Sequence, residues 1–105
     1  MNAFPIEWPA GQPIKFCRRW KIVRLELFGS ALRANFQRES DIDFLATFAP
    51  HAGWSLSAHF RMERELAGLL DRSVDLVTRP SVERSRNAIR REHILQTAQP
   101  VYVEG

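Results

Sequence analysis

The chain has only four aspartates, Asp41, Asp43, Asp71 and Asp75, and three of them stand where strands are expected. Aspartate is disfavoured inside strands. Yet Asp41-Ile42-Asp43 opens one β-rich stretch, residues 42–48, and Asp75 lies within another, residues 73–78. Side chains two apart on a strand share a face, so Asp41 and Asp43 project side by side. Two carboxylates about 6 Å apart repel by roughly 3 kcal/mol at an effective dielectric of about 20, and a shared proton or a cation must offset this. Hard divalent ions such as Mg²⁺ take a few carboxylate oxygens and complete their shell with water and substrate phosphates. If the strand of Asp75 lies beside that of Asp43, three carboxylates meet on adjacent strands. That set suits a two-metal site, one ion activating the attacking oxygen and the other holding phosphates and leaving group.

Upstream, Phe28-Gly29-Ser30 closes a strand and opens a short helical stretch, residues 31–36. Glycine lets backbone approach a phosphate, a helix start aims N–H groups at it, and the Ser30 hydroxyl adds a donor. A ten-residue spacer, 31–40, links this cradle to the aspartates. Taken singly, a Gly-Ser pair is most often a turn, an Asp-x-Asp a solvated strand end, and Asp75 a wet edge residue. Their joint occurrence, in order and on the expected elements, favours chemistry.

The elements that must position these residues follow from periodicity. Residues 1–12 form an irregular lead-in. Pro13 opens a short helix with Ile14, Cys17 and Trp20 on one side. Residues 22–28 (IVRLELF) alternate Val23, Leu25 and Leu27 against Arg24 and Glu26, a strand with one wet face. After the second strand, Ser55 or Ser57 caps a helix to about Leu70, with Leu56, His59, Met62, Leu66, Leu69 and Leu70 at helical spacing. A third strand, 73–78, leads through Pro80 and Ser81 into a basic helix to about Ala98, whose sparse apolar face is Ile89, Ile94 and Leu95. Residues 101–103 form a short final strand or tail. The order is that of an α/β (α+β) layer fold, a small mixed sheet flanked by helices.

Composition narrows the field. A chain of 105 residues, 45% hydrophobic and 26% charged, is one ordinary globular domain. It shows no membrane span, no signal-peptide core and one cysteine, which together suggest a cytoplasmic domain without disulfides. The net charge of +3 resides wholly between Arg79 and His93, where five arginines face two glutamates. No aromatics interleave with these arginines, so a solvated face or a protein partner is favoured over nucleic acid. His51, His59 and His93 show no ligand spacing, and His59 reads as a core-edge residue. Cys17 reads as a buried, inert thiol. Trp20 reads as core, and Trp54, after the aspartate-bearing strand, as a lid or partner contact.

The stretch Leu27-Phe28-Gly29-Ser30, nine residues, then Ser40-Asp41-Ile42-Asp43 resembles the minimal nucleotidyltransferases (MNT) of the DNA polymerase beta superfamily. Phe16-Cys17-Arg18-Arg19-Trp20 before it, Arg72 to Thr78 after it, and the ending from Ile94-Leu95 to Val101-Tyr102 are similar too. The resemblance runs from about Pro13 onward and implies the polymerase beta-like nucleotidyltransferase fold. It implies transfer of AMP from ATP, with Asp41, Asp43 and Asp75 as catalytic and metal-binding carboxylates for two Mg²⁺ ions. Asp75 would help deprotonate the acceptor. Gly29, Ser30, Arg33 and Ser40 would meet the triphosphate. Many relatives carry Arg after Gly-Ser and Gly three residues further on; Ala31 and Ala34 stand there in this chain, which alters the loop.

The resemblance also implies an antitoxin paired with a HEPN ribonuclease toxin, silencing it by attaching AMP to a tyrosine in a hetero-oligomer. Two other readings stand beside it: a non-catalytic antitoxin acting by binding alone, and a detached subunit of an antibiotic-type nucleotidyltransferase. At this length the acceptor is expected from a partner, since no second domain is present to supply a pocket.

Overall fold

The chain is seen as a computed structural model that describes residues 8–29 and 41–104. Helix α1 (Ile14–Arg19) leads into strand β1 (Ile22–Phe28), which is followed by β2 (Ile42–Phe48), α2 (Leu56–Leu70) and β3 (Val74–Thr78). Then come α3 (Arg79–Glu83), α4 (Ala88–Thr97) and β4 (Gln99–Val103). The first two strands match the expected bounds residue for residue, and the terminal segment is a true strand rather than a tail. The expected helix at 31–36 lies outside the described residues.

One four-stranded sheet has the order β3-β2-β1-β4. β1 pairs antiparallel with β2 and β4, whereas β2 and β3 run parallel, joined through α2. A parallel pair requires such a crossover, because the chain must return to the starting end of the sheet. Helix α2 is well punctuated for this task. The Ser55 hydroxyl accepts from Ala58 N–H at its start, and Asp71 takes the left-handed conformation (φ 53°) at its end.

Strand alternation splits the sheet into two faces, and helices cover both. On one face Leu25, Leu27, Ile42, Phe44, Ala46 and Leu76 pack against Phe16, Cys17 and Trp20 from the α1 region and Ala58, Met62 and Leu66 from α2. On the other, Phe28 and Leu45 pack against Val82 of α3 and Ile94 of α4. The wet face expected for β1 is therefore covered. Glu26 is only 4% exposed, with Arg79 Nη1 donating to its Oε1 at 3.4 Å. Arg24 Nε lies 3.2 Å from the same oxygen, an ionic contact without hydrogen-bond geometry.

Three further expectations are corrected. The basic segment is two helices, because Asn87 breaks it and caps α4 by accepting from Arg90 N–H. Ile89 lies at the start of α4 and is 85% exposed, so it takes no part in the inner face. Leu56 and Ile14 are likewise exposed; Ala58 and Phe16 occupy the core positions instead.

Candidate active site

The parallel register of β2 and β3 sets Asp43 directly beside Asp75. The antiparallel register of β1 and β2 sets Phe28 on the other side of Asp43. Neighbouring strands lie about 4.8 Å apart, so the two aspartates form an adjacent pair on the face that also carries Leu45 and Val77. Asp41 lies just outside β2, two residues before Asp43. Asp41 and Asp75 are exposed and Asp43 is half-buried, so this end of the sheet opens to solvent.

Gly29 completes this end of the sheet. It turns the chain at the end of β1 with φ +73°, a conformation that side chains disfavour. A Cβ built there would lie 2.5 Å from Asp43 Oδ2. The glycine backbone thus presses against the central carboxylate, and only the absence of a side chain permits the approach. Ser30, Arg33 and Ser40, the remaining nucleotide-binding candidates, fall outside the described residues, as do Ala31 and Ala34.

The donor chemistry fits a hard divalent cation. Carboxylate oxygens on adjoining strands, open to solvent, leave room for the water and phosphate oxygens that Mg²⁺ retains. Among the described residues no three His, Cys, Asp or Glu side chains come together as a metal-binding group, so the expected three-carboxylate set is not assembled; Asp43 and Asp75 are the pair that the strand register brings side by side.

The other candidates resolve as packing. Cys17 is buried, and desolvation pushes its thiol up from 9.0 to about 12, which leaves it a neutral core group. Trp54 leans on Trp20 while staying partly exposed. Its indole N–H donates to the Trp20 carbonyl at 2.7 Å, and the two rings meet edge to face at 5.1 Å. His59 is held at the edge of β3, where its Nε2–H donates to the Leu76 carbonyl at 2.7 Å. Glu63, one turn further along α2, accepts from the Leu76 amide at 2.7 Å. Glu63 carried no sequence signal of its own beyond a His–Glu pair at helical spacing. A cavity of about 350 Å³ lined in part by Thr47, Trp54, Thr78 and Pro80 opens at the far ends of β2 and β3 and contains none of the aspartates.

Residues 14–96 match the nucleotidyltransferase domain family, and the chain belongs to that family. Its four-stranded sheet is therefore that of a nucleotidyltransferase domain. Among solved structures, a minimal nucleotidyltransferase is 33% identical, with 84% of each chain covered and a TM-score of 0.65. A chain of a toxin–antitoxin complex with AMP-PNP is 25% identical, with 86% of this chain and 69% of that one covered and a TM-score of 0.66. A third similar structure is a tri-AMPylated Shewanella oneidensis HEPN toxin in complex with an MNT antitoxin. It is 26% identical, with 86% of this chain and 66% of that one covered and a TM-score of 0.58. No curated protein matches the chain. Among the described residues no helix is long and apolar enough to cross a membrane.

Proposed function

We propose that this chain is an MNT antitoxin that transfers AMP from ATP to a tyrosine hydroxyl of a HEPN ribonuclease toxin, with Mg²⁺ as the required ion. The observation that carries this reading is the in-register Asp43–Asp75 pair with the Gly29 backbone packed against Asp43. The likeness to toxin–antitoxin complexes, one of them AMPylated, supports the choice of partner and reaction.

Asp41 and Asp43 would hold the metal, with Asp75 contributing to the same cluster. The ion supplies charge neutralisation for the triphosphate and the group that leaves. Gly29 and Ser30 would place backbone and hydroxyl donors on the phosphates, with Arg33 and Ser40 beside them. The Asp75 carboxylate takes the proton of the acceptor hydroxyl. The acceptor oxygen then bonds to the α-phosphorus as the bond to the bridging oxygen breaks, and pyrophosphate departs with that electron pair. The open cluster suits an acceptor presented by another protein.

Incubating the protein with its toxin, α-labelled ATP and Mg²⁺, beside Asp43→Asn, tests the proposal. Label on the toxin, reduced at least about 100-fold by the substitution, is expected. Absence of label, or equal labelling by the variant, refutes catalysis. Protection of cells by an Asp41→Asn/Asp43→Asn protein would instead favour neutralisation by binding alone.

A further inference from the structure

β3 is an edge strand: β2 holds one side of it, and no strand pairs with the other among the described residues. In a parallel pair, alternate residues turn their backbone groups toward the partner strand and away from it. At Leu76 both groups are taken by α2. The Glu63 carboxylate accepts from the amide and the His59 imidazole donates to the carbonyl, each at 2.7 Å. The carbonyl has no proton to give, so Nε2 of His59 carries one.

The two side chains sit one turn apart, with 3.9 Å between His59 Nε2 and Glu63 Oε2, and are only 21% and 20% exposed. Their flank of the helix adjoins Ala58 and Met62, which are locked into the core. A rigid helix therefore grips one peptide-chain position of the edge strand with a donor and an acceptor at once. That position directly follows Asp75. Covering an open edge also discourages self-association, and a charged side chain anywhere along β3 would serve that end. A two-point grip on the residue beside the carboxylate does more, because it fixes how far the strand stands from α2 and how it is rotated.

We propose that His59 and Glu63 are positioning residues for Asp75, holding its carboxylate in register with Asp43. This deepens the proposed function and rests on Asp75 being the third site carboxylate. Partners of metal-site residues change metal affinity or turnover by about 10- to 100-fold when removed, and a 1 Å misplacement can cost on the order of 100-fold in rate.

The test uses the full chain with His59→Ala, Glu63→Ala and Glu63→Gln, and Asp75→Asn alongside. Mn²⁺ binding in the presence of a non-hydrolysable ATP analogue is read by electron paramagnetic resonance, and transfer kinetics are read with Mg²⁺. Each alanine variant should weaken Mn²⁺ binding and lower kcat by about tenfold, with KM for ATP moving less than about twofold and the Leu76 amide exchanging faster. Glu63→Gln keeps the acceptor oxygen and should stay within about twofold of the parent. Glu63→Asp, which shortens the reach and keeps the charge, should match Glu63→Ala and serves if the alanine variant does not fold.

Folded alanine variants with parental Mn²⁺ affinity and kcat would overturn the proposal, as would a Glu63→Gln as impaired as Glu63→Ala. An Asp75→Asn protein with unchanged metal binding and kcat would overturn the assignment of Asp75 itself, which separates the two failures.

Discussion

A side chain at position 29 would collide with the central carboxylate of the site. Gly29→Ala must both hold an unfavourable left-handed conformation, costing roughly 1–2 kcal/mol, and displace Asp43 Oδ2 from 2.5 Å. The expected outcome is a modest fall in melting temperature with a much larger fall in nucleotidyl transfer, measured on the same preparation. Equal, small losses in both would mean that the carboxylate moves aside at no cost. Residue chemistry of this kind was legible in advance, because aspartates in strands and a glycine at a strand end depart from ordinary propensity. Glu26 was not legible. Its alternation with Leu25 and Leu27 fits a solvated face equally well, and nothing local reveals that α3 and α4 return to cover it.

The elements show where local signals suffice. Strands β1 and β2 declare their bounds through β-rich runs ended by Gly29 and Pro50, and the Ser55 cap of α2 acts as its sequence suggests. The break between α3 and α4 is carried by Ser85 and Asn87, whose side chains compete locally for the backbone and cap α4, but the flanking arginines are good helix formers and mask that signal. Docking of α3 also brings Arg79 to Glu26. Glu26→Ala removes the carboxylate that Arg24 and Arg79 share, but Arg79 keeps Glu83 (Nε to Oε2 3.3 Å) and both arginines reach solvent, so the loss should be about 1 kcal/mol in urea titration. In the Glu26→Ala background Arg79→Leu should cost less than it does in the parent, since the Glu26 contact is already gone. Additive losses in the double variant would show that the two residues do not act as a pair.

For the molecule as a whole, stability should depend on pH through its one thiol. In the unfolded chain Cys17 ionises near its ordinary 9.0, whereas in the folded protein burial delays this to about 12. The folded state thus binds its proton more tightly. The resulting stabilisation is complete below pH 9 and declines by about 1.4 kcal/mol per pH unit between 9 and 12. Unfolding curves of the parent and of Cys17→Ala should diverge over that window and run parallel below it; parallel curves throughout would place Cys17 in water.

Strand order, too, is a property of the whole, and short-range patterns do not reveal that the last strand joins β1 while β3 takes the opposite edge. That order has a consequence for biogenesis. Phe28 and Asp43 are neighbours separated by 15 positions, but Asp43 and Asp75 are separated by 32 and meet only after α2 has folded back. Loop closure of that kind is slow and comes after local pairing. Before α2 and β3 join the sheet, the β1–β2 stretch carries Asp41 and Asp43 but not Asp75. The Asp43–Asp75 pair therefore exists only once the longest-range strand pairing of that half of the sheet has formed.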